Sequence, residues 1–238
     1  MKIKNIISIF IITIFLRSCN EKIEVKKPVV KKEFEQLVYQ IADLKILRYN
    51  IPVFDELTLK EKKLVYYLTQ AGLAGRDIIW DQNYRHNLKI RNALENVYTN
   101  FSGDKTTDDW KSFEVYLKRI WFSNGIHHHY SNDKIKPEFS SEYLTYLFSE
   151  TDTTLEKDVF EIIFNDKDNK KVNKKKGVDN VASSVINFYD PTLTDEEVES
   201  FYKQASKGLG DRPIEVGLNS TLVKENGNLV EKVWKSGG

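Results

Sequence analysis

Cysteine is nearly absent from this chain, and its scarcity excludes two kinds of stabilising chemistry. Cys19 is the only cysteine among 238 residues. An intramolecular disulfide therefore cannot form, and no zinc site can be built on two or more thiolates of this chain. Any metal would need His, Asp or Glu as its ligands.

The chain also lacks an excess of charge of one sign. Lys and Arg together number 36 against 35 Asp and Glu, which gives a formal net charge of +1. Without a strong basic field, a nucleic-acid partner is not expected. With 40% hydrophobic and 12% aromatic residues, the composition is that of one large or two small globular domains.

Common catalytic motifs are missing as well. No histidine is followed by glutamate, and neither a Gly-x-Ser-x-Gly elbow nor a phosphate-binding Walker loop occurs. The neighbouring carboxylates Glu196 and Glu197 fall in the first turn of a predicted helix, where they complement the helix dipole. The residues alone therefore predict no catalytic group.

The N-terminus resembles a bacterial lipoprotein signal. Lys2 and Lys4 precede an apolar stretch from Ile6 to Leu16, and Cys19 follows closely. This stretch is too short for a transmembrane helix, which needs about 20 residues, but suffices for a signal peptide. We predict a signal peptide over residues 1–18 and lipidation of Cys19, the alternative being an ordinary secretory signal with an incidental cysteine.

The residues after the predicted cleavage site are mostly charged and have no buried periodicity. Residues 19–33 are predicted to be a polar tether between the membrane and a folded part that starts at Phe34. The predicted location is the bacterial cell envelope, on the periplasmic or surface side, with the lipid anchor holding the protein on the membrane.

Helical periodicity dominates the folded part. Capping boxes are predicted at Thr58 with Glu61 and at Thr194 with Glu197. Apolar residues recur at helical spacing in five places, and we interpret all five as core. They are Leu64, Val65, Leu68 and Ala71; Ile90, Leu94, Val97, Tyr98 and Phe101; Trp110, Phe113, Leu117 and Ile120; Leu155, Val159, Ile162 and Ile163; and Val198, Phe201, Tyr202 and Ala205.

Strand patterns are concentrated late in the chain. Val181–Tyr189 is rich in β-branched and aromatic residues, and Leu218–Val223 and Leu229–Val233 flank Asn226-Gly227, a strong hairpin signal. The predicted fold class is therefore α+β, a mainly helical lobe with a small late β-sheet or hairpin. Asp166–Gly177, with six lysines and almost no apolar residue, is predicted to be a solvated loop.

Three of the four histidines stand together in Trp121–Tyr130. If this stretch is extended, His127 and His129 share one face and His128 lies on the other, so the three cannot readily bind one metal. Hydrogen-bonded histidines along a cleft wall or buried strand are expected instead, and no metal site is predicted. The stretch also offers groups that suit an extended peptide. The candidate residues are Asn124, Gly125, His127, His129 and Tyr130.

Several segments together resemble the N-terminal lobe of bacterial (Bacteroidetes-type) dipeptidyl peptidase III, over about residues 38–238. The most specific of them is Tyr116–Tyr130. The supporting segments are Ala42–Tyr49, Lys63–Leu68, Gly75–Ile78, Asp81–Asn83, Val185–Tyr189 and Gly217–Gly227.

The resemblance implies a two-lobed zinc exopeptidase that releases dipeptides from the N-terminus of short peptides. It implies that Asn124–Tyr130 is similar to the first lobe's cleft-side strand. The family binds zinc through a His-Glu-x-x-Gly-His helix and a further glutamate in the other lobe, and this motif does not occur here. We therefore expect residues 34–238 to be an incomplete N-terminal lobe that forms one cleft wall, is inactive alone, and has a zinc-bearing C-terminal lobe as its partner in the full-length protein.

Two other classes stay open from the sequence. One is a non-catalytic surface lipoprotein that uses this lobe to bind a peptide or a protein partner. The other is a small metal protein built on His127 and His129.

Overall fold

Seven α-helices and two antiparallel hairpins form the part of the chain that the structure describes. The computed structural model describes residues 34–167, 169–208 and 220–233. The predicted signal peptide, Cys19 and the tether lie outside these residues. Contacts divide the chain after Gln36, and every element below belongs to the unit that begins at Leu37.

The element order confirms the predicted α+β, mainly helical class. The strands are β1 (Leu37–Ile41), β2 (Leu44–Leu47), β3 (Ser220–Glu225) and β4 (Asn228–Val233). The helices are α1 (Leu59–Ala74), α2 (Arg76–Asn83), α3 (Asn87–Asn100), α4 (Asp108–Ser123), α5 (Ser141–Glu150), α6 (Lys157–Phe164) and α7 (Asp195–Ala205), and Pro52–Phe54 is a 3-10 turn. Within the described residues, no helix is long and apolar enough to span a membrane.

Helices α3 to α6 share one hydrophobic core, as three of the predicted apolar stripes require. Ile90, Leu94, Phe113, Leu117 and Ile163 have no exposed surface. The aromatic rings pack against one another in stacked and edge-to-face pairs, such as Phe101 on Trp110 at 4.9 Å. This core holds the C-terminal end of α4, and with it the histidine-rich stretch, on a rigid base.

The first predicted stripe is different, and its interpretation as core is wrong. Helix α1 forms with the predicted Thr58–Glu61 capping box, but none of its residues is buried. Leu64 is 57% exposed and Leu68 is 62% exposed. Helical spacing determines which residues share a face. It does not determine whether other described residues pack against that face.

A second, smaller core lies between helix α7 and the late hairpin, and its buried centre consists of Leu193, Val198 and Leu222. The predicted hairpin is confirmed: β3 pairs with β4 from Ser220↔Val233 to Glu225↔Asn228. Its turn residues Asn226 and Gly227 have φ of 51° and 80°, the left-handed values that such a turn requires.

The predicted strand at Val181–Tyr189 is wrong. This stretch makes only isolated bridges, at Ser184 to Lys170 and at Tyr189 to Leu222. The hydroxyls of Ser183 and Ser184 donate to the backbone carbonyls four residues earlier. These local side-chain bonds stabilise turns, and they outweigh the strand propensity of the surrounding residues.

Candidate functional site

The candidate site begins where helix α4 ends. Asn124 caps the helix in the left-handed conformation with φ of 52°, and Gly125 follows with φ of 145°. The Asn83 amide donates to the Asn124 carbonyl at 2.9 Å. The Asn87 side chain accepts from the Ile126 backbone N–H at 3.1 Å and donates to the Trp80 carbonyl at 3.0 Å. These hydrogen bonds from the side chains of Asn83 in α2 and Asn87 in α3 fix the direction in which the chain leaves α4.

Residues 124–135 then fold back on themselves, and we call this segment the histidine turn. The Ile135 N–H donates to the Ile126 carbonyl at 2.8 Å, and the His128 N–H donates to the Asp133 carbonyl at 2.7 Å. His127 forms an isolated antiparallel bridge with Lys134. Since the chain reverses within a few residues, the side chains do not alternate as they would along an extended strand.

His127 is the buried member of the turn, with 1% of its surface exposed. Its ring Nε2 donates to the Asn169 carbonyl at 3.2 Å, so Nδ1 holds the lone pair. Nδ1 is buried and has no hydrogen-bond partner among the described residues. Burial lowers the pKa of His127 to about 4, and the charges of Lys134 and Lys171 act in the same direction. His127 is therefore neutral at pH 7.

His128 and His129 lie together, which corrects the predicted grouping of His127 with His129. Their ring centroids are 4.5 Å apart, and His129 is 4.2 Å from the ring of Tyr130 and 4.9 Å from that of Phe122. Tyr130 is 83% exposed and Phe122 is 46% exposed. The histidine turn therefore exposes aromatic side chains, which we call the aromatic surface, and keeps His127 buried.

Hydrogen bonds from the backbone fix the orientation of the His128 ring. Its Nδ1 accepts the N–H groups of Tyr130 at 3.3 Å and Ser131 at 3.2 Å. Because Nδ1 is an acceptor, the ring proton lies on Nε2 in the neutral form. His129 has a lowered pKa, first because of partial burial and then because of the neighbouring charges of His128 and Lys171.

A pocket of about 330 Å³ opens beside the turn. Its wall includes side chains that sequence reasoning missed, above all Arg119, which donates to Asp43 at 3.0 Å and to Glu138 at 3.2 Å. The hydrogen bond from Arg119 is the main reason that the pKa of Asp43 lies below its ordinary value. No local motif marks these residues, because Asp43 belongs to the turn of the first hairpin and Arg119 to the interior of α4.

Part of the loop at Asp166–Gly177 is bonded to the histidine turn. The Lys171 N–H donates to the Asn132 carbonyl at 2.9 Å, and Lys170 pairs with Asp133 at 2.7 Å. Lys174, Lys175 and Lys176 are exposed, as predicted for a solvated loop. Lys171 is buried, which a run of six lysines in the sequence does not reveal.

Of the five predicted site residues, Tyr130 and His129 contribute to the exposed aromatic surface. Asn124 and Gly125 shape the backbone beneath it, and His127 lies in the interior. Nowhere in residues 34–167, 169–208 and 220–233 do three His, Cys, Asp or Glu side chains gather as a metal site would need. A larger open hollow of about 710 Å³, near Asn96 and Thr153, contains none of the predicted residues.

The chain matches no known family when it is compared with family models, and no curated protein matches it.

Proposed function

We propose that this chain is the N-terminal portion of a zinc-dependent exopeptidase that releases dipeptides from short peptides. In this proposal the histidine turn forms part of one wall of the substrate cleft, and the zinc belongs to a further lobe. The proposal rests on the segments that resemble dipeptidyl peptidase III, of which Tyr116–Tyr130 is the most specific.

The observation that carries the proposal is the form of this segment. An exposed aromatic surface of His129 and Tyr130 stands on a backbone that is held by the side chains of Asn83 and Asn87. A peptide-binding wall needs such a fixed base, because ordering a flexible loop on binding would lower the affinity. The adjacent pocket carries both positive and negative side chains, which suits the polar backbone and the charged ends of a short peptide.

A second observation supports the view that this portion packs against further protein. Most of the exposed large apolar side chains between Leu37 and Ile79 lie on β1, β2 and α1, and we call this set the apolar belt. A portion of a chain that exposes this many large apolar side chains is typical of an interaction site. The belt also suits the alternative function, a non-catalytic surface lipoprotein that binds a peptide or a protein partner.

The test compares two proteins: this 238-residue chain and the product of the complete reading frame that encodes it. Each is incubated with a pentapeptide that has a free N-terminus, with added zinc or with a chelator, and the products are identified by mass spectrometry. We expect zinc-dependent dipeptide release from the longer product and none from the chain. Dipeptide release by the chain alone would contradict the proposal.

The sequence of the encoding DNA beyond codon 238 separates the proposal from its alternative. A frame that continues into His-Glu-x-x-Gly-His supports the peptidase. A stop codon directly after Gly238 overturns it and favours the binding lipoprotein.

Attachment to the cell envelope is part of the proposal and rests on residues 1–19. We expect Cys19→Ser to move the protein from the membrane fraction to the soluble fraction and to abolish incorporation of labelled fatty acid. Unchanged incorporation in Cys19→Ser would contradict lipidation at this residue.

A further inference from the structure

The first hairpin, which consists of β1 and β2, forms one side of the pocket beside the histidine turn. Asp43 and Leu44 line the pocket from this hairpin. All other residues that line it belong to the end of α4 and to residues 128–138. One wall of the pocket therefore belongs to a separate element, and the pocket changes size if that element moves.

The first hairpin is not part of either hydrophobic core. No residue from Leu37 to Leu47 is buried, and only Ile41 and Leu44 are half-buried. Among the described residues, neither core includes a side chain of this hairpin, even at its partly buried edge. No backbone hydrogen bond joins the hairpin to any other described part of the chain. Packing and backbone bonds therefore contribute little to holding the hairpin in place.

Two charged side chains of α4 hold the hairpin. Arg119 donates to the Asp43 carboxylate at 3.0 Å, and Lys118 donates to the Tyr39 hydroxyl at 2.7 Å. The Lys118 ammonium also lies 4.9 Å from the centroid of the Tyr39 ring. The Asp43 side chain is 72% exposed, so water and salt screen its attraction to Arg119, and an ion pair of this kind contributes little to stability. These contacts can break without disturbing a core.

The hairpin can move as one piece, because its own two strands are paired. The backbone register runs from Leu37↔Leu47 to Ile41↔Leu44. Residues 48–51, which follow β2, are exposed and belong to no helix or strand. A few such residues are enough to act as a hinge, since they can change their backbone angles without breaking a helix or a sheet.

We propose that the first hairpin is a lid over the pocket beside the histidine turn. The lid swings on residues 48–51 when the contacts from Arg119 and Lys118 break, while both cores stay folded. Opening withdraws Asp43 and Leu44 from the pocket, so that a ligand larger than the closed pocket of about 330 Å³ can lie along α4 and the histidine turn. The inference goes beyond the proposed function, because it concerns access to the pocket whatever binds there.

The test measures the position of the lid by double electron–electron resonance in the full chain with Cys19→Ser. Spin labels are attached at Lys45→Cys on β2 and at Ser149→Cys on α5, which are exposed positions. We expect two distance populations, one closed and one open. Asp43→Asn should raise the ratio of open to closed molecules about two- to fivefold, as the loss of one exposed ion pair allows.

Asp108→Asn is the matched control, because it removes an exposed carboxylate that pairs with Lys111 at the other end of α4. It should leave the ratio of open to closed molecules unchanged. Tyr39→Phe removes the acceptor of the Lys118 hydrogen bond and should raise the ratio. Salt at about 1 M should raise the ratio more in the chain with Asp43 than in Asp43→Asn, because it screens the ion pair.

Two results of the distance measurement would overturn the lid. One is a single distance that is the same in every variant. The other is a broad spread of distances in place of a second population, because the hairpin would then unfold instead of swinging as one piece.

Thiol labelling shows whether opening exposes the pocket. Ser123 lines the pocket and is 4% exposed, so Ser123→Cys in the chain with Cys19→Ser should react slowly with N-ethylmaleimide. Asp43→Asn should raise this rate by the same factor as the ratio of open to closed molecules, whereas the rate at Ser149→Cys should not change. Circular dichroism melting shows whether Ser123→Cys is folded. A larger open population without faster labelling at position 123 would mean that the hairpin moves but does not cover the pocket, and would overturn its role as a lid.

Discussion

At the scale of single residues, Gly125 is the position of the histidine turn that tolerates a side chain least. A Cβ atom on Gly125 would lie 2.8 Å from Cγ of Asn87 and would collide with that side-chain amide. The φ angle of Gly125 is also positive, which strains any residue with a Cβ. The same amide connects α2, α3 and Ile126. We expect Gly125→Ala to lower the free energy of unfolding by about 2–3 kcal/mol, measured by urea denaturation.

The matched control for Gly125 is Gly72, in the interior of α1, where nothing lies within 4 Å of a new Cβ. Gly72→Ala should raise the stability by up to about 1 kcal/mol, because alanine is the better helix former. Equal effects of the two substitutions would show that the contact with Asn87 is unimportant.

His127 makes the stability of the fold depend on pH. Its pKa is about 4 in the folded protein and 6.5 ordinarily, so between these values the unfolded chain binds a proton that the folded chain does not. Stability therefore falls as the pH decreases from about 6.5 to about 4, by up to roughly 3 kcal/mol from this group. Denaturation at a series of pH values should show a smaller decrease in His127→Gln than in the wild type.

Phe122→Leu is the control for this titration, because Phe122 lies against the same turn, is 46% exposed and carries no titratable group. Its decrease in stability between pH 6.5 and pH 4 should equal that of the wild type. A His127→Gln protein with the wild-type pH dependence would contradict the assignment.

At the scale of elements, α1 and α4 have the same length and opposite environments. Both have 16 residues, but Leu68 on α1 is 62% exposed and Leu117 on α4 is fully buried. Leu117→Ala should lower the free energy of unfolding by about 2–5 kcal/mol, because it removes buried apolar surface and leaves a cavity. Leu68→Ala should change the stability by no more than about 0.5 kcal/mol, as surface substitutions usually do.

Chemical denaturation of both variants tests this contrast between the helices. A large loss in Leu68→Ala would mean that α1 is covered in solution, for example by a second copy, and gel filtration with light scattering would detect that copy.

The elements that could be predicted from the sequence are those with a strong local signal. Asn226-Gly227 identified the late hairpin, and the spacing of Trp110, Phe113 and Leu117 identified α4. The first hairpin was missed because its turn has Ala42, at φ of 46°, where asparagine or glycine is usual. The pocket and Lys171 could not be predicted, because both depend on contacts between residues far apart in the chain.

At the scale of the whole molecule, two cores of unequal size should differ in stability. The helical core of α3 to α6 is large, whereas the core of α7 and the late hairpin has three buried apolar residues at its centre. They are joined at Asn187, whose N–H donates to the Gln82 carbonyl at 2.8 Å and whose carbonyl accepts from the Thr221 hydroxyl at 2.7 Å. A small core can open while the large one stays folded.

Native-state hydrogen exchange should therefore show the amides of β3 and α7 exchanging before those of α3 and α4. Leu222→Ala should accelerate exchange in the small core alone, and Leu117→Ala should accelerate it in the large core alone. Uniform acceleration by Leu222→Ala would mean that the two cores open as one unit.

The neighbouring lysines of the loop behind the histidine turn also determine how the protein responds to proteolysis. Trypsin should cut at the exposed Lys174–Lys176 and spare the buried Lys171. The N-terminal fragment would then keep the histidine turn together with Lys171, while α7 and the late hairpin would fall on the other fragment. A single nick therefore divides the chain between its two cores and leaves the whole candidate site on one side of the cut.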